Sequence, residues 1–227
     1  MKKIEDMQLK YYEGCKDFSN PDTRVHRIIG LVREEPKGAL LDVGCGDGSS
    51  SEEIVKDGWS VSGLELSPKN VTKARKKGIN AVVGNAEEKL PYNEDMFDVV
   101  IAGEIIEHLT NPKNFLEECY RVLKPNGVLI LTTPNVCFLL SRIKVLFGKL
   151  PYASAPFHFQ YFTLSSLKKL LNESGFTIER AIGNMVLGEG IFDRLKVPFL
   201  KFISTHPAKF FPTLSANLII KSRKASR

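Results

Sequence analysis

The stretch ALLDVGCGDG, residues 39–48, joins a short apolar run to a loop in which every second residue is glycine. The run Ala39–Val43 predicts a buried strand, and Ser49–Lys56 beyond the loop predicts the start of a helix. Glycine at positions 44, 46 and 48 allows the backbone to turn tightly and to approach a ligand closely. A strand, a glycine loop and a helix in this order indicate a cofactor-binding turn.

Strand and helix patterns continue to alternate on the carboxyl side of this turn. Ser67-Pro68 and Asn111-Pro112 each predict a helix start, and Lys124–Gly127 predicts a turn. This alternation predicts an α/β fold, a Rossmann-like doubly wound parallel sheet flanked by helices, in which ligands bind at the carboxyl ends of the strands. The predicted later strands are Trp59–Leu64, Ala81–Val83, Phe97–Ala102, Val128–Thr132, Phe176–Ile182 and Leu218–Lys221.

An acidic side chain, Glu65, follows the second predicted strand, about 20 residues after the first glycine, as a dinucleotide fingerprint requires. A carboxylate there can accept hydrogen bonds from both ribose hydroxyls. The G-x-G-x-G spacing differs from the pyrophosphate pattern G-x-G-x-x-G, and Asp42 and Asp47 place acidic groups around the loop. Acidic groups suit a cationic ligand, so S-adenosylmethionine, with its sulfonium and ammonium groups, fits better than NAD.

Several segments in combination resemble the motifs of class I S-adenosylmethionine-dependent methyltransferases over about residues 24–182. The resemblance implies a seven-stranded sheet of order 3-2-1-4-5-7-6 with strand seven antiparallel. It implies that Asp42, Gly44, Cys45 and Gly46 line the methionine end of the cofactor, and that Glu65 and Leu66 hold the ribose. The segments that carry the resemblance are Leu40–Gly48, Gly63–Ser67, Gly84–Tyr92, Phe97–Val100 and Leu123–Leu129.

The same resemblance places Asn85 and the Ala86 backbone at the adenine. The family commonly has Asp where this chain has Asn85. The amide oxygen can still accept a hydrogen bond from an adenine amino group, so we expect cofactor binding to survive this difference.

After the fourth predicted strand the sequence reads Glu104-Ile105-Ile106-Glu107-His108-Leu109. On a helical turn Glu104, Glu107 and His108 would share one face and form an acid/base or divalent-metal set. This E-x-x-E-H pattern is similar to that of ubiquinone-biosynthesis O-methyltransferases and small-RNA 2′-O-methyltransferases, and in the latter it binds a divalent ion with a further histidine. His158 would be that fourth metal ligand here, while His108 and Glu107 are the catalytic candidates.

Two alternatives remain open for these side chains. Glu104 could instead face the methionine ammonium group of the cofactor, and His108 could only stabilise the loop after the fourth strand. Tyr161 could line the same cleft through its hydroxyl group, or pack as an ordinary aromatic side chain.

The predicted domain organisation is an N-terminal helical segment, residues 1–37, followed by a methyltransferase domain, residues 38–227. Two insertions, about 136–162 and 185–214, are apolar with interleaved basic residues and would select the acceptor. They read either as lid helices or as an amphipathic surface for a hydrophobic or lipid-linked acceptor or an anionic membrane. Arg142–Pro151 resembles the MetW family, whose members lack the E-x-x-E-H pattern.

Composition limits the remaining classes of function. A charge of +6 is mild, and the basic residues are dispersed, so a nucleic-acid partner is not favoured. Four cysteines without C-x-x-C spacing, no signal peptide and no long apolar run predict a cytoplasmic protein with reduced thiols. The sequence predicts methyl transfer to a small-molecule acceptor, on oxygen. The alternatives are a MetW-like, partner-dependent subunit without its own catalysis and an RNA 2′-O-methyltransferase.

Overall fold

A single seven-stranded sheet organises the computed structural model, which describes residues 23–151, 157–184, 208 and 210–225. The strand order is β3-β2-β1-β4-β5-β7-β6, and β7 runs antiparallel to both of its neighbours. The predicted order and the antiparallel strand are therefore confirmed. The strands are β1 Ala39–Val43, β2 Ser60–Glu65, β3 Asn80–Val83, β4 Phe97–Gly103, β5 Leu123–Pro134, β6 Phe176–Gly183 and β7 Asn217–Lys224.

Helices cover both faces of the sheet, and two of them begin as the sequence predicts. The Ser67 hydroxyl accepts a hydrogen bond from the Asn70 amide, and the Asn111 side chain accepts one from the Asn114 amide. The helices are α1 Thr23–Val32, α2 Glu52–Lys56, α3 Pro68–Lys76, α4 Pro112–Val122, α5 Leu139–Leu146 and α6 Leu164–Glu173, with short 3-10 turns at Ile106–His108 and Pro212–Leu214.

The core has two layers because strand side chains alternate between the faces of the sheet. In β1, Leu41 packs with the cluster under α4 and α6, whereas Leu40 packs with the cluster under α1, α2 and α3. Truncating either leucine to alanine would cost about 2–5 kcal/mol, since both side chains are fully buried. This rigid sheet fixes the positions of the strand ends at which the site is built.

Two elements begin three or more residues away from their predicted starts. β5 begins at Leu123 rather than Val128, because Leu123 already pairs with Phe97 and the predicted turn is absorbed as an irregularity in which Asn126 has a φ of +61°. α2 begins at Glu52 rather than Ser49, because Ser51 directs its hydroxyl to Asp42 instead of continuing a helix.

The predicted N-terminal segment and insertions are described only in part. α1 forms within the predicted segment 1–37, and its apolar side chains join the same core as the sheet. Residues 1–22, 152–156, 185–207, 209 and 226–227 lie outside the described residues, so the boundary at residue 38 and the second insertion stay predictions. Among the helices that the structure describes, none is long and apolar enough to cross a bilayer.

Candidate functional site

The glycine loop after β1 has the open backbone that cofactor binding needs. Gly44, Gly46 and Gly48 all have positive φ angles, +74°, +55° and +82°. A Cβ added at Gly44 would lie 2.2 Å from the Ile105 side chain, whereas one added at Gly46 would point into open space. The loop at Gly46 is therefore both left-handed and open, as a turn that receives a ligand must be.

Glu65 at the end of β2 is held against this loop by backbone amides. Its carboxylate accepts hydrogen bonds from the Gly46 amide at 3.1 Å and from the Ser67 amide at 2.8 Å. Burial raises the pKa of Glu65, and these amide hydrogen bonds oppose that shift. Because a carboxylate offers about four lone-pair sites, Glu65 could accept from a ribose hydroxyl while it holds the loop.

Asp42, the last acid before the loop, is buried at the floor of the same site. Its carboxylate accepts a 2.6 Å hydrogen bond from Ser51, a partner that the sequence analysis did not identify. Burial raises the pKa of Asp42 to about 7, and the charge of Glu65 adds to this shift. A buried carboxylate with one hydroxyl partner favours a cation beside it, which is the property predicted for the methionine end of the cofactor.

The other predicted cofactor residues lie at the same sheet edge. Asn85 forms a tight turn in which its side-chain oxygen accepts from the Glu87 amide at 3.0 Å, and Ala86 packs against the core beside β3. Cys45 is buried in the loop, and Leu66 is half-buried after β2. Their roles in binding stay predictions, and the geometry is compatible with each.

Arg24 on α1 is a site residue that the sequence analysis missed. It lines a cavity of about 70 Å³ together with Asp42, Gly44 and Gly103. Its guanidinium lies 3.0 Å from the Glu104 carboxylate. Eighty residues separate the two side chains, and no local pattern in the sequence connects them, so only the packing of α1 on the sheet could reveal the pair.

Glu104 itself takes a backbone conformation unusual for glutamate, with a φ of +54°. Its carboxylate accepts hydrogen bonds from Thr132 at 3.0 Å and from Asn217 at 3.3 Å, in addition to the Arg24 ion pair. A left-handed residue of this kind costs about 1–3 kcal/mol and is found mainly at functional sites. Glu104 pairs with Arg24, which lines the cofactor cavity. The sequence also predicts Glu104 as a metal ligand, but it is not among the residues of the cluster of possible ligands described next.

Glu107, His108 and His158 form a compact cluster of possible ligands. One donor atom from each lies within 4.8 Å of the others. Glu107 is 2% exposed, and only one of its carboxylate oxygens is hydrogen-bonded, to Thr133 at 3.0 Å. Its other oxygen, Oε1, has no hydrogen-bond partner in the described part of the chain and lies 3.9 Å from His108 Nε2. Three of the four predicted metal ligands thus lie together, without Glu104, and their metal role stays a prediction.

Burial changes the protonation of this cluster. It raises the pKa of Glu107 well above its ordinary range, and the charge of Glu104 adds to the shift. It lowers the pKa of both His108 and His158, which keeps the imidazoles neutral near pH 7. Neutral imidazoles can act as bases or bind a cation.

The segment that carries His158 is fixed against the turn that carries Glu107 and His108. The His108 Nδ1–H group donates to the Phe157 carbonyl at 3.0 Å, and the amides of Phe159 and Gln160 donate to the Glu107 carbonyl. Because a carbonyl only accepts, this contact places the proton on Nδ1 and leaves Nε2 as the basic ring atom. Phe157 has a φ of +66°, so the contact is made from a conformation rare for phenylalanine.

The sheet order, the open glycine loop and the buried carboxylate on the next strand define a class I, Rossmann-like cofactor-binding domain. A family model described as "Methyltransferase domain" matches residues 17–181. The chain therefore belongs to the class I S-adenosylmethionine-dependent methyltransferase family, whose cofactor is S-adenosylmethionine.

Individual relatives agree with this family. The chain is 32% identical over 158 residues to a mitochondrial ubiquinone biosynthesis O-methyltransferase of Rattus norvegicus, covering 63% of the chain and 46% of that protein. It is 32% identical over 168 residues to the Maricaulis maris ubiquinone biosynthesis O-methyltransferase, covering 68% and 66%. The chain thus spans about half to two thirds of these relatives' length.

The fold also matches solved structures. A methyltransferase from Archaeoglobus fulgidus aligns with a TM-score of 0.64 at 20% identity, covering 88% of this chain and 92% of that one. At this identity the match supports the shared fold.

The site fits S-adenosylmethionine on its own chemistry. Asp42 would supply a buried acid for the cationic end, Glu65 would supply acceptors for the ribose, and Gly46 leaves the backbone open between them. Arg24 adds a cation at the same cavity, which a carboxylate group of the ligand could use.

Proposed function

We propose that the protein transfers the methyl group of S-adenosylmethionine to an oxygen atom of a small-molecule acceptor. The observation that carries this proposal is the cluster of buried Glu107 with the half-buried His108 and His158, built around the turn that follows β4 at the cofactor edge of the sheet. The two ubiquinone biosynthesis relatives are O-methyltransferases, which supports oxygen as the accepting atom. Cytoplasmic location remains part of the prediction.

His108 is the proposed proton acceptor. Bound S-adenosylmethionine supplies an electrophilic methyl group on a sulfonium sulfur. A hydroxyl acceptor must lose its proton as its oxygen bonds to the methyl carbon and the carbon–sulfur bond breaks. The Phe157 carbonyl holds His108 with Nε2 basic, and burial keeps the ring neutral at pH 7, so Nε2 can take that proton.

Glu107, His108 and His158 also suit a divalent cation, and one observation favours this alternative, in which His108 Nε2 binds the ion instead of taking the proton. Glu107 Oε1 is a buried carboxylate oxygen to which no group among the described residues donates a hydrogen bond, which is costly unless a charge or a proton compensates it. Metal–ligand bonds of about 2.0–2.5 Å place opposite ligands about 4–5 Å apart, which the cluster matches with donors within 4.8 Å. A bound cation would lower the pKa of an acceptor hydroxyl beside it.

Titration with Mn²⁺ distinguishes the two mechanisms. If the cluster binds the ion, His158→Gln lowers the Mn²⁺ affinity at least about tenfold, while His26→Gln, at an exposed histidine on α1, leaves it unchanged. Because Glu107 must lose its proton to bind, the affinity also rises with pH. Equal Mn²⁺ affinities in wild type and His158→Gln would contradict the metal site and leave the mechanism in which His108 acts as the base.

We further propose that Arg24 binds the carboxylate of the methionine group. Arg24→Ala should weaken S-adenosylhomocysteine about tenfold or more in calorimetry, since a charge-assisted hydrogen bond is lost. Methylthioadenosine, which has no amino-acid group, should bind Arg24→Ala and wild type equally. Arg33→Ala is the matched control, because Arg33 lies just beyond the same helix and pairs with Glu53 and Asp57 at the surface. Equal losses for both ligands would contradict the assignment.

The reaction itself is tested with methyl-labelled S-adenosylmethionine and two matched sets of acceptors, phenols and catechols against the corresponding anilines. We expect label transfer to the hydroxylated set, and its loss in His108→Ala without loss of S-adenosylhomocysteine binding. Cofactor binding without transfer to any acceptor would favour a partner-dependent subunit. Transfer to RNA with steep salt dependence would favour the RNA alternative. Either outcome would overturn the small-molecule proposal.

A further inference from the structure

One apolar surface of the protein is exposed to solvent beside the catalytic edge. Every described side chain from Arg142 to Leu150 is exposed, including Leu146 at 82% and Phe147 at 77%. Large exposed apolar side chains grouped in this way mark an interaction site. We call this the α5 surface; it consists of Ile143, Val145, Leu146, Phe147 and Leu150, with Phe210 and Phe211 from the segment before β7.

Hydrogen bonds hold the two parts of the α5 surface side by side. Arg142 on α5 donates to the Thr213 carbonyl at 3.0 Å, and Asn135 donates to the Thr213 carbonyl at 3.1 Å. Phe210 is 79% exposed in the same segment. The apolar side chains of α5 and of residues 210–211 therefore belong to one face of the molecule.

The α5 surface is continuous with the proposed catalytic cluster. Asn135, three residues before Phe138, forms a parallel bridge with Phe162, and the Val136 amide donates to the Phe162 carbonyl. The segment that leads to Phe162 carries His158. The exposed rings of Phe159 and Tyr161 lie in the same segment, on either side of Gln160. A partner bound to the α5 surface would thus lie next to the segment that carries His158.

Charge distribution identifies the partner. The chain has 26 acidic residues, yet it has none between Glu118 and Glu173 and none after Asp193. Arg142, Lys144 and Lys149 are interleaved with the exposed apolar side chains of α5, and all three are themselves exposed. Apolar side chains interleaved with basic ones and free of acids are the pattern of an interfacial helix on an anionic membrane.

We propose that the α5 surface docks on the surface of an anionic lipid bilayer, with its apolar side chains at the acyl boundary and its lysines at the headgroups. Docking in this orientation presents the catalytic edge to the membrane, so an acceptor dissolved in the lipid can enter without crossing water. This inference goes beyond the proposed reaction, since it concerns a surface that neither the cofactor nor the catalytic cluster uses.

Vesicle co-sedimentation tests the proposal with the full chain. The wild type should bind vesicles that contain phosphatidylglycerol and bind phosphatidylcholine vesicles more weakly. The double variant Leu146→Ser with Phe147→Ser should reduce vesicle binding about tenfold or more, and Lys144→Glu with Lys149→Glu should reduce it about as strongly. High salt should also reduce vesicle binding by the wild type. The control pairs are Val83→Ser with Met96→Ser and Lys69→Glu with Lys76→Glu, which alter exposed side chains elsewhere and should bind as wild type does.

Two further measurements keep the test decisive. Calorimetry with S-adenosylhomocysteine should give the wild-type affinity in all four double variants, which shows that they fold and separates this inference from the proposed reaction. No vesicle binding by the wild type, or equal binding by the α5-surface variants, would overturn the proposal. A dimer in light scattering that Leu146→Ser with Phe147→Ser dissociates would assign the surface to a second copy and would also overturn it.

Discussion

Replacing Glu107 with glutamine should stabilise the protein while it removes activity. Glu107 is 2% exposed, and its Oε1 atom makes no hydrogen bond in the described part of the chain. Leaving such a buried polar atom unpaired costs about 1–3 kcal/mol, and more when the group is ionised. Glutamine has the same shape and can keep the contact with Thr133 without bringing a charge into the core. We expect a gain of about 1–3 kcal/mol in the free energy of unfolding at pH 8.

The gain should depend on pH in a direction fixed by the raised pKa of Glu107. A carboxyl group whose pKa is raised by folding stabilises the native state fully below its unfolded pKa, near 4.5, and loses that contribution as pH rises toward the folded pKa. The wild type should therefore lose up to about 1.4 kcal/mol per pH unit across this window, and Glu107→Gln should not. The difference between the two proteins is then smallest at pH 5.5 and largest at pH 8.

Urea unfolding at pH 5.5 and pH 8, with a chelator present, measures this difference. Glu88→Gln, the same substitution at an exposed residue of the cofactor edge, should change stability by less than about 0.5 kcal/mol at both pH values. A Glu107→Gln protein that is less stable than wild type at pH 8, or a difference that does not change with pH, would refute the reasoning about the buried oxygen.

Three other changes test separate parts of the structure. The affinity for S-adenosylmethionine, measured by calorimetry, should fall up to about tenfold per pH unit below pH 7. Burial raises the pKa of Asp42 to about 7, so protonation below that pH removes the negative charge expected to face the cationic ligand. An Asp42→Asn variant with the same pH dependence would contradict this. Gly46→Ala, at a φ of +55°, should weaken cofactor binding and lower the free energy of unfolding in urea by about 1 kcal/mol. Gly30→Ala, in the interior of α1, should instead raise the free energy of unfolding by about 0.5–1 kcal/mol. Equal effects of the two substitutions would show that the loop tolerates a side chain. Lys221→Ala should cost about 3–5 kcal/mol in the same assay, since Lys221 is buried and pairs with Glu34 and Glu35 at 3.0 and 2.6 Å; a loss below 1 kcal/mol would show that these pairs contribute little.

The cofactor half of the site could be predicted from the sequence because its signals are local. The glycine loop follows β1 directly, and Glu65 ends the next strand, so the parallel order of the sheet brings them together. Asp42 is the one acidic residue in the otherwise apolar strand Ala39–Val43. Predicting where these residues lie requires only the order of strands and helices, and the alternating patterns in the sequence indicate that order.

The catalytic half could be predicted only in part, because its contacts join distant segments. Glu107 and His108 meet His158 as the pattern indicates. Glu104 behaves differently: the helical turn begins only at Ile106, and the left-handed backbone of Glu104 turns its carboxylate toward Arg24. A regular helix, on which Glu104 would share a face with Glu107 and His108, therefore does not form at Glu104. No local signal in the sequence marks this irregular backbone.

The last strand of the sheet connects the cofactor site to the end of the chain. Glu34 and Glu35, which follow the helix that carries Arg24, pair with Lys221 of β7, and Asn217 of the same strand contacts Glu104. During synthesis on the ribosome, the proposed Arg24 anchor would thus gain its support from β7 only after that strand has emerged and inserted between β5 and β6. A shortened product lacking β7 would retain the glycine loop, Asp42 and Glu65 but would lose the contacts that hold Glu104 and the end of α1, so we expect it to bind the cofactor more weakly than the full chain.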